Sequence, residues 1–171
     1  KSYVSEGVDY GVQLDSYLEG FGKLFFRVKY EKQNDFNELV FLNELMRYRL
    51  HFQTTEGELV WQSRLEFSYL KSLGWMYFLQ VKSEQRYVTA VFRTTFFDVP
   101  AFNQAIYAFT PNLRYAYRNY AYHNQGLQHI VKFRAQLRSW LKPSLVTSYM
   151  MYLDQSAPDF FEVSLQLEAS L

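Results

Sequence analysis

The chain carries three histidines, His51, His123 and His129, and a hydrolase would need one of them beside a nucleophile and an orienting polar group. His129 with Ser139 or Ser148 is the pairing that suggests itself. Neither a G-x-S-x-G elbow nor a fixed spacing supports it. Metal chemistry has little to work with, because there is no cysteine, no H-E-x-x-H run and no EF-hand loop. The glycine loops that cradle phosphates are missing too. The reading is therefore a non-enzymatic chain with no catalytic residue, no cofactor and no metal site.

The basic residues say more. Arg47, Arg49, Arg64, Arg114, Arg118, Lys132, Arg134 and Arg138, with Glu66 among them, recur at alternate positions of apolar segments. On strands such a spacing puts them all on one face. If that face encloses a space, it has either a basic lining that favours anions or an interior of ion pairs. The acids available for pairing are Asp9, Asp15, Glu31, Glu66, Glu162 and Glu168. With 18 Lys and Arg against 17 Asp and Glu, the paired interior is the expectation. The same balance gives a net charge of +1 with no basic block, so nucleic acid is not an expected partner.

Period-two alternation dominates the elements that must position these side chains. Strands are expected at Val8–Asp15, Phe26–Glu31, Met46–Gln53, Leu59–Tyr69, Trp75–Val81 and Val88–Arg93. Further strands are expected at Ala105–Phe109, Leu113–Arg118, Val131–Arg138, Leu145–Leu153 and Phe161–Leu171, about eleven in all. Pro100, Pro111, Pro143 and Pro158 are placed between strands, as are Gly20, Gly22, Gly57 and Gly126. Tight connections (EGFG, TEGE, KSEQ, TPN, LKP) alternate with looser ones (EKQNDFNELV, LKSLG, FDVPAFN, RNYAYHNQG, DQSAPD). Asp35, Glu38, Asp98, Asp154 and Asp159 fall in the looser set, as solvated acids or as cation ligands.

Alternation does not say which solvent meets the apolar face. Phe, Tyr and Trp make up 20% of the chain, and mean hydropathy is −0.27. No run approaches the ~18 apolar residues of a membrane helix, but a transmembrane barrel has the mean hydropathy of a soluble protein. Tyr69, Trp75, Tyr87, Tyr120, Tyr122 and Trp140 crowd strand ends, where interfacial rings would sit. The closing stretch, FFEVSLQLEASL, alternates to its last residue. Together these features lead to an all-β fold, an antiparallel transmembrane β-barrel of about 10–12 strands in the outer membrane of a Gram-negative bacterium. Residues 1–171 form one domain, or the C-terminal portion of a larger barrel. An odd strand count points to strands upstream, with a miscounted strand near residues 97–119 as the competing explanation. The opening KSYVSEG, without a signal peptide, fits either a removed targeting peptide or a start partway through a longer protein.

Two stretches, FRTTFFDVPAFNQAIYAFTPNLRYAYRNYAYHNQG and KFRAQLRSWLKPSLVTSYMMYL, resemble a family of large outer-membrane barrels. In the full chains of that family a helix-hairpin-helix segment often precedes the barrel. The shared run is an aspartate-bearing loop, an IYAY-like strand, an aromatic strand, a Gly-ended loop and then Arg-rich alternation. The last strand also resembles the terminal signal read by barrel-assembly machinery, with Leu171 in place of the usual Phe or Trp. The resemblance implies fold and location more than activity. The functional expectation is a scaffold, complex subunit or transport barrel. The alternatives are a pore for small anions and a soluble β-barrel that binds an apolar ligand. Expected partners are outer-membrane lipid and lipopolysaccharide, the assembly machinery during insertion, and other envelope proteins.

Overall fold

The structure, a computed structural model, describes residues 7–34, 42–114, 116, 118–154 and 157–169. Nine strands form one antiparallel sheet: β1 (Gly7–Leu18), β2 (Gly22–Asn34), β3 (Leu42–Glu56), β4 (Leu59–Tyr69), β5 (Leu73–Glu84), β6 (Val88–Val99), β9 (Asn124–Ala135), β10 (Leu141–Tyr152) and β11 (Phe160–Ala169). Each pairs with its neighbour in that order, so β1 and β11 are the edge strands over the described residues. The sheet is a meander with one excursion. Between β6 and β9 the chain makes a 3-10 turn (Phe102–Gln104) and a separate hairpin, β7 (Ile106–Phe109) with β8 (Asn119–Tyr122).

Register explains the two-faced character. One row across the sheet runs Leu14, Phe26, Leu50, Leu65, Tyr77, Phe96, Leu127 and Met151, apolar at each of the eight strands from β1 to β10 that it crosses. A row on the opposite face runs Gln53, Gln62, Gln80, Arg93, Ile130, Ser148 and Glu162. The hairpin covers this second, polar face. Solvent meets the apolar one: Leu165 is 77% exposed and Val12 65%, whereas Arg93 is 6% exposed and Glu66 2%. A soluble sheet domain has the reverse arrangement, with its apolar side packed inward.

The core sits between hairpin and sheet. Met76, Phe78, Phe97, Val99 and Met150 of the sheet's inner face pack with Ile106, Ala108 and Tyr122 of the hairpin. One glycine makes that fit possible. Gly126 lies directly opposite Phe97, and a Cβ on it would come within 2.5 Å of Phe97 Cζ and 2.6 Å of the Met151 carbonyl oxygen. The Phe97 ring fills this space and meets Tyr122 at 5.1 Å between centroids.

Several expectations are corrected. Leu113–Arg118 is not a strand over its described residues; it forms the far end of the hairpin, whose second strand is Asn119–Tyr122. Periodicity could not separate the two, because tyrosines alternate through both. TPN is thus inside the excursion and is not a turn between wall strands. Gly126 belongs to β9, and Pro143 belongs to β10, where it precedes the first rung with β9 at Ser144↔Arg134. A missing amide is tolerated at that margin. Tyr120 and Tyr122 are not at sheet ends: both belong to the hairpin, and Tyr122 is fully buried between hairpin and sheet. By contrast, Tyr69, Tyr87 and Trp140 are exposed at strand ends. Asp35 and Glu38 lie outside the described residues.

Candidate functional site

The inner face and its hairpin form the candidate site. Four successive strands contribute a hydrogen-bonded row: Gln62 Nε2 donates to Gln53 Oε1 at 2.9 Å, and Gln80 Nε2 to Gln62 Oε1 at 2.8 Å. Arg93 closes it, donating Nε and Nη2 to Gln80 Oε1 at 2.9 and 2.7 Å. Its remaining nitrogen, Nη1, donates to the Phe109 carbonyl of the hairpin. The row exists because register places Gln53, Gln62, Gln80 and Arg93 side by side. Buried amides in such a chain each need the next one as partner.

Other inner-face residues hold the hairpin along its length. Near its start, Arg47 Nη1 donates to the Ala105 carbonyl at 2.8 Å. Midway, the Tyr122 hydroxyl donates to Gln128 Oε1 at 2.6 Å, and Gln128 Nε2 donates to Ser148 Oγ at 3.1 Å. At the far end Lys132 donates to the Asn112 carbonyl, and Arg118 pairs with Glu162. Glu168 accepts from Arg114 at 2.9 Å and Arg134 at 3.2 Å. Arg47 is one rung from the Tyr69↔Leu73 end of the sheet, while Glu168 faces Lys142 near the opposite end. The hairpin therefore runs the height of the inner face, from the end with the long connections to the end with the tight turns.

The basic residues singled out from sequence divide accordingly. Arg47, Arg49, Arg64, Glu66, Lys132 and Arg134 lie on inner-face positions of the sheet. Arg114 and Arg118 reach that space from the hairpin, and Arg138 stands exposed in the 136–140 connection, where β9 has already ended. Pairing follows the expected acids: Lys29 with Asp9 at 2.9 Å and with Glu31, Arg47 with Glu31 at 3.7 Å, and Arg49 with Glu66. Asp15 differs, accepting from Gln13 at 2.9 Å. Arg27, Lys29 and Arg93 belong to the same face and were missed. Their alternation with Phe26, Val28 and Phe92 was the available signal.

On β2 and β3 the charge is locally unbalanced. Arg27 faces Arg49 and Lys29 faces Arg47 in direct register. These four cations line a cavity of about 560 Å³ with Glu31, Glu66, Leu45, the 3-10 turn residues Phe102 and Asn103, and Tyr107 of the hairpin. Arg64 lies deeper on β4. Its guanidinium carbon sits 5.2 Å from the Phe78 ring centre, and its buried Nε has no hydrogen-bond partner.

The histidines are dispersed. His51 is on the inner face beside Arg64, His123 packs edge-on to Phe102, and His129 is on the outer face, 3.0 Å from Thr94 Oγ1. Ser148 is on the inner face, so the sheet itself separates it from His129. Asp98 lies in β6, not in a connection, and accepts from its β9 partner Gln125. Asp154 and Asp159 accept hydrogen bonds that tie their connection to the sheet, including Tyr149 Oη to Asp159 at 3.0 Å. Among the described residues no three His, Asp or Glu side chains converge on a metal position.

No family model, no curated protein and no solved structure matches the chain. Function has to be read from the geometry of the two faces.

Proposed function

We propose that this chain is a non-enzymatic outer-membrane β-barrel protein of a Gram-negative bacterium, acting as a scaffold, complex subunit or transport barrel with a hairpin filling its interior. The observation that carries the reading is the inversion of the faces. Side chains such as Leu165, Leu167 and Val12 are exposed across the whole sheet, while Arg93 and Glu66 are buried beneath the hairpin. In water that apolar surface would greatly exceed the few hundred Å² that monomers expose. Against acyl chains it is the expected surface, because a membrane strand turns apolar residues to lipid and polar ones to the interior. Strands of 10 to 15 residues suffice for a tilted crossing, which takes ~9–11.

Assigning the tight turns to the periplasm makes the long connections extracellular, and the hairpin then enters from outside. Lipid and lipopolysaccharide are its surroundings in this reading, and the assembly machinery its partner during insertion. The resemblance to large barrels with a preceding helix-hairpin-helix segment agrees with it. A pore for small anions is the second reading, favoured by the cavity of about 560 Å³ beside the hairpin. A soluble barrel that holds an apolar ligand fits less well, since the covered face is ionic.

Heat-modifiable migration in detergent gels tests the reading. The folded chain should run faster unheated than boiled and should need detergent to stay in solution. A monomeric protein that stays soluble without detergent would refute it.

A further inference from the structure

From the cavity between β2, β3 and the base of the hairpin we infer a binding site for a small organic anion, headed by a phosphate or carboxylate and carrying a flat apolar body. Among its four cations, three already have an acidic partner. Arg49 gives Nε and Nη2 to the two oxygens of Glu66 at 2.7 and 3.1 Å, and Lys29 is held by Asp9 and Glu31. Arg27 has neither an ion pair nor a hydrogen bond among the described residues, although it faces Arg49 across the strands. Arg47 spends Nη1 on the Ala105 carbonyl, and its Nε, which has no hydrogen-bond partner, stands 3.7 Å from Glu31 in a loose ion pair.

Like charges directly opposite on a sheet repel, and here two such pairs stand on adjacent inner rungs, Arg27↔Arg49 and Lys29↔Arg47. An anion between Arg27 and Arg47 offsets that repulsion. The planar fork of Arg27 matches two oxygens of one head group. The remaining wall is of another kind. Leu45, Phe102 and Tyr107 offer apolar and aromatic surface, with the Asn103 amide beside them. A bare inorganic ion would leave that wall unused. The site belongs to the inner face, whatever solvent the outer face meets, so it does not stand or fall with the membrane reading.

The test is calorimetric titration of the full-length protein with inorganic phosphate, phenyl phosphate and benzoate. The protein is folded in detergent, or in plain buffer should it prove soluble. Phenyl phosphate or benzoate should bind, and phenyl phosphate should bind at least about tenfold tighter than inorganic phosphate, through the apolar wall. The stronger of the two aromatic probes tells phosphate from carboxylate. Arg27→Gln should weaken binding at least about tenfold and leave the unfolding midpoint in place, since Arg27 holds nothing in the fold. Arg27→Lys keeps the charge, loses the fork and should weaken binding too; it replaces Arg27→Gln should that variant fail to fold. Lys142→Gln, at the opposite end of the sheet, should change nothing. No binding at millimolar probe, wild-type affinity in both Arg27 variants, or equal loss with Lys142→Gln would overturn the site.

Discussion

Arg93 and Gln80 face each other across β5 and β6, and a single oxygen, Gln80 Oε1, accepts from two nitrogens of the guanidinium. The third nitrogen holds the hairpin at the Phe109 carbonyl. One buried side chain thus joins the wall of the sheet to the segment lying across it. Replacing it with Leu leaves the buried Gln80 oxygen and the Phe109 carbonyl without this donor. The expected loss is about 2–4 kcal/mol in equilibrium urea unfolding. Lys recovers little of this, because one ammonium cannot reproduce the three-way fork.

Phe97 and Gly126 share a rung, and the missing Cβ is what lets the ring lie down. Gly126→Ala forces the ring or the Met151 carbonyl aside, at a cost of about 1–3 kcal/mol. Adding Phe97→Leu to that variant should recover part of the loss. A double mutant with the summed loss of the two singles would show that the contact is not the cause.

The far end of the hairpin is held to the sheet by charge. Glu162 and Glu168 receive Arg118, Arg114 and Arg134. Glu162→Gln with Glu168→Gln should let this end lift, exposing the bonds after Arg114 and Arg118 to trypsin. Cleavage there, followed by mass spectrometry, should speed up about tenfold, the equivalent of about 1.4 kcal/mol in the opening equilibrium.

Leu50 lies in the apolar row and is 44% exposed. In water, an arginine at such a position changes stability by about 0.5 kcal/mol or less. Facing hydrocarbon, it costs about 2–4 kcal/mol near the midplane. Unfolding of Leu50→Arg from lipid vesicles should give the larger figure.

Alternation alone revealed most of the wall. Phe26 with Arg27, Tyr48 with Arg49 and Leu165 with Gln166 mark their two faces without any knowledge of pairing. The acids that neutralise the interior could be named from charge balance. The hairpin could not be recognised, because Ile106–Phe109 has the period of a wall strand and nothing local says that it lies inside. Its shortness was the one hint: at five residues, Ala105–Phe109 is the shortest of the expected strands. The Gln53, Gln62, Gln80 row was invisible for another reason. It exists only once register sets residues from separate strands side by side, and register follows from the whole sheet. Pro143 and Gly126 misled because both read as punctuation, whereas one stands at the margin of a ladder and the other makes room for a ring.

The alternation along β11 offers the most direct test of the membrane reading. Single cysteines at each position from Phe161 to Glu168 can carry spin labels in lipid vesicles, with oxygen as the apolar relaxant and a nickel chelate as the aqueous one. Labels at 161, 163, 165 and 167 should be relaxed by oxygen and ignored by nickel, while those at 162, 164, 166 and 168 should be shielded from oxygen. Nickel access at 165 and 167 equal to that of a free surface loop would contradict the proposal that this face meets lipid.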